Sequence, residues 1–352
     1  MSFAVSRRTA LVGMLGLAAT ARAQQQQPQQ LPRALSQPAL QVARPTQAVL
    51  QAITHAGKRL VAVGERGLII YSNDAGKSWT QAAVPVSSTL TALRFADAQL
   101  GWAVGSMGVV LRTEDGGASW TKVLDGATAA QLALKAAPAG QAQDDAQRLV
   151  AEGPDKPLLD LSVSSDGSLL VVGAYGLAFS SSDGGKSWAS QMHRLPNPDG
   201  LSYYGVAERR GEALLFGEQG LLLRASKPAD SFTAQTSPST GSLFGALALH
   251  EGPLLLLGLR GKAWRSAEAG DDWTAIQTPI EASLISGLQM RDGSILLAGA
   301  AGQLLQSRDG GQRFQPLQLP QRFPFTGMAQ AADGALLLVG MRGLLRVDSL
   351  KS

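Results

Sequence analysis

The sequence predicts an all-β fold, a seven-bladed β-propeller made of four-stranded antiparallel blades. Two observations predict it. A Gly-x-x-Gly element returns seven times, opening at Gly64, Gly105, Gly173, Gly217, Gly258, Gly299 and Gly340, with five of the six steps 41 or 44 residues and one 68. In most copies the element leads into an apolar run, a tight Asp-Gly turn and an aromatic residue, as in the stretch from Gly105 through Asp115-Gly116-Gly117 to Trp120. A unit of about 40 to 45 residues holds four strands of about six residues and four connections of about four. No such unit can bury its own faces, whereas a ring of them buries a core between neighbours.

Residues 1–23 read as an export signal. Arg7 and Arg8 supply the positive end, Ala10 to Ala19 a mildly apolar stretch, and Ala21-Arg22-Ala23 a small-x-small cleavage site. The arginine pair suggests the twin-arginine route; an ordinary secretory signal is the alternative, since Ala10 stands where that route usually has Phe. The mature chain is therefore expected in the periplasm. Residues 24–38, rich in Gln and Pro, lack the apolar content that would offset ordering entropy and are expected to be a flexible linker.

The propeller is expected over residues 39–348. The first blade reads as Val49 to Thr54, Arg59 to Val63, Leu68 to Ser72 and an outer strand from Trp79, and the later copies repeat it. The seventh has room for one strand, Leu344 to Asp348, after its Gly turn. Ala39 to Arg44 aligns with an outer strand, so it is predicted to pair with the last blade and close the ring, removing two exposed edges. The insertion 125–156 accounts for the long step, and its apolar spacing predicts two short helices split by Pro138-Ala139-Gly140, between blades two and three. It serves either as a solvated embellishment or as a lid or contact element.

Charge and composition exclude several functions. Removing residues 1–23 takes away Arg7, Arg8 and Arg22 and no acid, lowering the formal charge from +4 to +1. Bulk electrostatics therefore give no support to a nucleic-acid or anionic-membrane role. The chain has no cysteine, which excludes disulfides, thiolate metal sites and cysteine nucleophiles. No run approaches the roughly 20 apolar residues of a membrane span, so the mature chain is expected not to insert in a membrane. His55, His193 and His250 lie in different copies and form no ligand pair, so no cofactor is expected.

The Asp turns are the most specific local signal. Asp74, Asp115, Asp183 and Asp309 stand at the head of tight turns, where a carboxylate accepts backbone N–H bonds. Trp79, Trp120, Trp188 and Trp273 follow, and their rings are expected to fill the space between blades. The expected role is turn stabilisation. A glycosidase would need paired acids or a Tyr nucleophile among arginines. The candidate acids outside these turns are few, Glu65, Glu208, Glu218 and Glu251, and the tyrosines are Tyr71, Tyr175, Tyr203 and Tyr204. Glu65 and Glu218 occupy equivalent turn positions, which suits repeat drift better than an acid/base pair.

The Asp-turn element is the Asp-box, shared with sialidases and other propellers. The unit as a whole, with Gly101-Trp102-Ala103-Val104-Gly105 followed by the Asp115 to Trp120 stretch, resembles the photosystem II assembly and stability factor family over residues 39 to 348. That resemblance implies a non-enzymatic, seven-bladed assembly factor that holds a membrane-protein subunit, and an arginine-rich face. Arg66, Arg260 and Arg342 share one position of the Gly turn in copies one, five and seven, where the others have Met107, Tyr175, Gln219 and Ala301. These turns are expected to open on the face of the blade-to-blade connections, with the insertion. Three guanidiniums there suit carboxylates of a peptide tail or acidic loop; the alternative is solvated surface. The expectation is a monomer that binds a protein partner, a membrane-protein subunit or complex, with an Asp-box glycan-binding protein or sialidase-like hydrolase as the alternative.

Overall fold

Residues 31–209, 211–226, 231–250, 252–268 and 270–350 are described by the computed structural model. The export signal, residues 24–30 of the linker and Glu251 lie outside them. Seven antiparallel sheets follow one another along the chain, six of four strands and the last of three among the described residues. The fold is the seven-bladed propeller. Inner strands are Leu50–Ala56, Leu90–Phe95, Leu158–Val163, Tyr203–Arg209, Leu243–Ala248, Leu284–Gln289 and Phe325–Gln330. Each packs against the inner strands of its neighbours, and Phe325–Gln330 packs against Leu50–Ala56 to complete the ring.

The second strand of each blade explains the repeated apolar runs. It lies between two strands of its own sheet and between two neighbouring blades, so both of its faces are dry. Leu254–Gly258 and Leu336–Gly340 are buried at every position. Such strands read as continuous apolar runs rather than alternating ones. The hydrophobic cores accordingly sit between blades, one at each seam. Trp120 and Trp188 belong to the seams with the preceding blade, and Trp79 and Trp273 pack against the equivalent seams. The tryptophans precede the short outer strands instead of lying within them, for example Thr80–Gln81 and Thr121–Leu124.

The ring does not close as the sequence suggested. Ala39 to Arg44 forms no ladder with the last blade. The Ala39 N–H donates to the Val84 carbonyl at 3.1 Å, and the Gln81 side chain bonds Val42 N–H and the Leu40 carbonyl at 3.0 and 2.8 Å. The segment therefore runs along the outer edge of blade one. Its anchor is Leu35, 1% exposed in the seam of blades one and two, with the Ala34 carbonyl accepting from Ser87 N–H at 2.9 Å. A linker flexible to residue 38 is thus corrected as well: Arg33–Leu35 is a 3-10 turn that ends in a buried side chain. Blade seven closes on blade one through apolar packing of Leu337 and Val339 on Leu50 and Ile70, and through Thr326, whose hydroxyl donates to the Leu50 carbonyl at 2.8 Å.

The two predicted helices are present. Helix α1 spans Gly126–Ala136, and the Asp125 side chain caps it by accepting from Thr128 N–H at 3.1 Å. Lys122 neutralises that buried carboxylate at 2.7 Å. The helix stops at Ala137, which is extended because the following Pro138 disfavours the helical region. Helix α2 spans Gln141–Glu152 between Gly140 and Gly153.

Candidate functional site

The Asp turns occupy the face reached by the first-to-second strand loops, and their polar groups are consumed locally. The Asp74 carboxylate accepts from Lys77 and Ser78 N–H at 3.1 and 2.8 Å, from the Ser78 hydroxyl at 2.6 Å and from the Ser72 hydroxyl at 2.8 Å. Asp115 and Asp183 repeat this pattern with Ser119 and Ser187, and Asp309 with the Gln312 and Arg313 N–H groups. The Ser78 hydroxyl and N–H, then the Ser72 hydroxyl, hold the Asp74 carboxyl well below the usual carboxylate range, and Asp183 is held likewise. Trp79, Trp120 and Trp188 donate their ring N–H to the turn glycine carbonyls Gly76, Gly117 and Gly185 at 3.1, 3.0 and 3.2 Å.

One set of residues on this face escaped the sequence reading. An arginine recurs just before the Asp turn, in the third strand, and reaches the Asp turn of the next blade. Arg112 donates to the Gly184 carbonyl at 3.0 Å, Arg265 to Gly310 at 3.1 Å, Arg346 to Ala75, and Arg224 pairs with Asp271 at 2.5 Å. In blade one Tyr71 stands there, and Arg59, stacked 4.5 Å over its ring, bonds the Asp115 and Gly116 carbonyls at 3.1 and 3.0 Å. The signal was present in the sequence as Arg112-Thr113, Arg224-Ala225, Arg265-Ser266 and Arg346-Val347.

The Gly-x-x-Gly turns open on the opposite face, against the blade-to-blade connectors. A Cβ on Gly67 would stand 2.1 Å from the Val86 carbonyl oxygen, and one on Gly261 would stand 1.9 Å from that of Ile280. Both glycines also have positive φ, so no other residue fits. In copies one to five the residue before this glycine is left-handed as well: Arg66 (φ 52°), Met107 (61°), Tyr175 (56°), Gln219 (53°) and Arg260 (55°). A side chain in that conformation costs about 1–2 kcal/mol. Arg342 differs. Its turn is a two-residue hairpin between the paired Gly340 and Gly343, with the left-handed conformation on Gly343, so the three arginines share a sequence position but not one backbone geometry. Ala301 likewise lies outside the left-handed region.

Arg66, Arg260 and Arg342 are all exposed, and none pairs with a carboxylate of the described residues. The acids in equivalent turns are turned to structural use: Glu65 accepts from Val49 N–H at 3.2 Å and Glu218 from Ser202 N–H at 3.0 Å. Tyr175, Leu259 and Met341, on the same set of turns, are 65%, 38% and 53% exposed. The insertion joins this face, with Gly126 of α1 packed on Gly108 of the second turn.

The inner strands enclose a channel of about 520 Å³. Asp160 on its wall is paired with Arg94 at 3.1 Å and accepts from Val206 N–H at 3.1 Å. Glu208 is half-buried, with its carboxyl pushed up by burial. Tyr203 is fully buried behind the wall, its hydroxyl pushed up to about 12 by burial. Among the described residues no three His, Asp or Glu side chains gather to hold a metal ion, and no helix is long and apolar enough to cross a membrane.

Residues 77–138, which take in blade two and α1, match the family model described as Photosynthesis system II assembly factor YCF48. Among curated proteins no sequence matches the chain. Two solved structures similar to it are YCF48 bound to D1 peptide, 19% identical, with a TM-score of 0.64 over 89% of this chain and 100% of that one, and YCF48 from Cyanidioschyzon merolae, 15% identical, with a TM-score of 0.64 over 88% and 98%. A streptogramin B lyase structure, 12% identical, reaches a TM-score of 0.67 over 91% of this chain and all of that one. The chain is therefore similar to the photosystem II assembly factor family, and at these identities the structural likenesses speak for the fold.

Proposed function

We propose that this chain is an exported, non-enzymatic propeller that binds a protein partner through its connector face and assists assembly or operation of a membrane complex, as photosystem II assembly factors do. The observation that carries the reading is the set of unpaired guanidiniums at Arg66, Arg260 and Arg342. Two of them sit on left-handed backbone, a conformation that Met107, Tyr175 and Gln219 share at the same position, so it is the guanidiniums and not the backbone that set these turns apart. Fixed guanidiniums bind carboxylates well, often bidentately, which suits an acidic peptide tail or loop. The similar structure of YCF48 bound to D1 peptide supports a peptide segment as the partner by analogy. The Asp turns, with their carboxylates saturated by their own N–H groups, act as structure, and the protein works as a monomer. The mature chain would operate in the periplasm after removal of residues 1–23.

The test is capture of membrane proteins from the native host by wild-type protein and by the triple variant Arg66→Gln, Arg260→Gln, Arg342→Gln. Capture should fall in the variant and with rising salt, because exposed charges are screened within about 10 Å at 0.1 M ionic strength. The melting temperature should not fall. Equal recovery of the same proteins by both would show the arginines to be solvated surface.

A further inference from the structure

Every inner strand carries a bulge at its second residue. The pairing with the second strand skips Gln51, Thr91, Leu159, Tyr204, Phe244, Ile285 and Thr326 in turn. A bulge re-aims the side chain it carries, and all seven of these residues line the channel. Their level is fixed by register: the residue just before each bulge pairs with the first glycine of the Gly turn, as Leu243 with Gly258 and Leu284 with Gly299. The bulges therefore ring the channel mouth on the connector face.

The ring has two halves. From blade seven through one to two it is polar, with Thr326, Gln51 and Thr91, and both threonine hydroxyls are already spent on carbonyls of the next blade, Leu50 and Leu158, at 2.8 Å each. From blade three to blade six it is Leu159, Tyr204, Phe244 and Ile285, all half-exposed to the channel. The Tyr204 and Phe244 rings lie 5.3 Å apart at 32°. The charged groups on the wall lie further in: Arg94 paired with Asp160, and Glu208 beside Ser164 of a loop on the Asp-turn side.

We propose that this apolar arc receives one aromatic or branched aliphatic side chain of the same acidic partner segment that the arginine turns bind; the inference rests on the proposed function above. Continuity and charge select this occupant. The blade five turn that carries Arg260 begins at Gly258, directly above the Phe244 bulge, and its Leu259 extends the apolar surface outward from the mouth. A segment with its carboxylates on the arginines passes over the arc, and the channel has volume for a ring beneath it. A carboxylate would not follow that ring inward, where Asp160 and Glu208 stand.

The probe is the pentapeptide acetyl-Glu-Asp-Phe-Glu-Asp-amide against its Phe→Ala counterpart, with affinities from calorimetry. Burying a Phe side chain predicts that the Phe peptide binds at least about tenfold more tightly. Phe244→Ser and, separately, Ile285→Ser should bring the two peptides to parity, with unchanged melting as the check on folding. The triple arginine variant should weaken both peptides and keep the preference. A wild type that binds both peptides equally, or a preference that survives in both channel variants, overturns the channel site and leaves the arginine reading standing. If neither peptide binds, the arginine reading fails for acidic segments, and uncharged acetylphenylalanine amide decides the channel: at millimolar concentration it should shift the Ile285 methyl resonance, and no shift overturns the proposal.

Discussion

Replacing Arg346 by Met tests how the ring closes. The last blade lacks a fourth strand among the described residues, and residues 39–44 run along the edge of blade one, so the seam between blades seven and one rests on packing, on the Thr326 bond to Leu50 and on Arg346. Its guanidinium donates across the seam to the Ala75 carbonyl and pairs with Asp333 and Asp348 at 2.7 and 2.8 Å. Asp348 is 79% exposed, so that pair contributes little. The bond to Ala75 is different, because the arginine side chain is only 17% exposed and a charge-assisted bond is worth about 1.5–3 kcal/mol. Met keeps most of the stem packing. A loss of about 2 kcal/mol should lower the melting temperature by about 4 °C, at about 2 °C per kcal/mol for a large domain. Arg265→Met, which removes the equivalent 3.1 Å bond between blades five and six, is the comparison. Calorimetric melts of the two variants should show similar losses. A change under about 1 °C for Arg346→Met beside a clear loss for Arg265→Met would refute the reasoning and assign closure to the inner-strand packing alone.

Leu35→Ala should cost about 2–5 kcal/mol in chemical unfolding, since the side chain is fully buried at the seam of blades one and two, whereas Leu40→Ala, 77% exposed, should cost almost nothing; equal effects would place the anchor elsewhere. Arg66→Gly should raise stability by about 1 kcal/mol through relief of the left-handed conformation while weakening partner capture, and a destabilised variant would contradict the strain argument. The Asp74, Asp115, Asp183 and Asp309 carboxyls are depressed in the folded state by hydrogen bonds from their own turns, so the unfolded chain binds more protons near its carboxylate pKa of about 3.9. Their stabilisation is therefore complete above about pH 4 and fades as pH falls through the folded values. Urea unfolding at pH 6, 4 and 3 should show a shallower loss for Asp183→Asn than for wild type, and parallel curves would count against it.

What could be read from the sequence follows from what repetition encodes. The Gly turn, the apolar second strand and the Asp turn are each set by contacts inside one blade or with its neighbour, so they recur at a fixed spacing and give away the fold. Closure is a single event with no repeat to display it: Ala39 to Arg44 has the length and place of an outer strand, and only the Gln81 side chain and the buried Leu35 show which edge it takes. The third-strand arginines were visible as a repeat and were missed because Tyr71, Ser180 and Gln306 interrupt it. The bulge ring was hidden for another reason. A bulge shifts pairing by one residue, and Gln51 or Phe244 inside an apolar strand reads as an ordinary alternation until the register is known.

Hydrogen-bond accounting separates the two faces of the ring. On the Asp-turn face the Asp74, Asp115, Asp183 and Asp309 carboxylates are filled by their own turns, Asp271 pairs with Arg224 of the preceding blade, and the carbonyls of Ala75, Gly116, Gly184 and Gly310 are met by an arginine from the preceding blade. A ligand arriving there would have to displace bonds that hold the blades together. On the connector face the backbone is equally well paired, with Gly64 N–H on the Leu68 carbonyl and Glu65 N–H on Val49, but the side chains at the turn tips are left over. Arg66 and Arg260 could be lost to glycine with a gain in stability, so the fold itself gives no reason to keep them. Under the proposed function, an acidic partner is the chemistry that unpaired guanidiniums at this rim would bind.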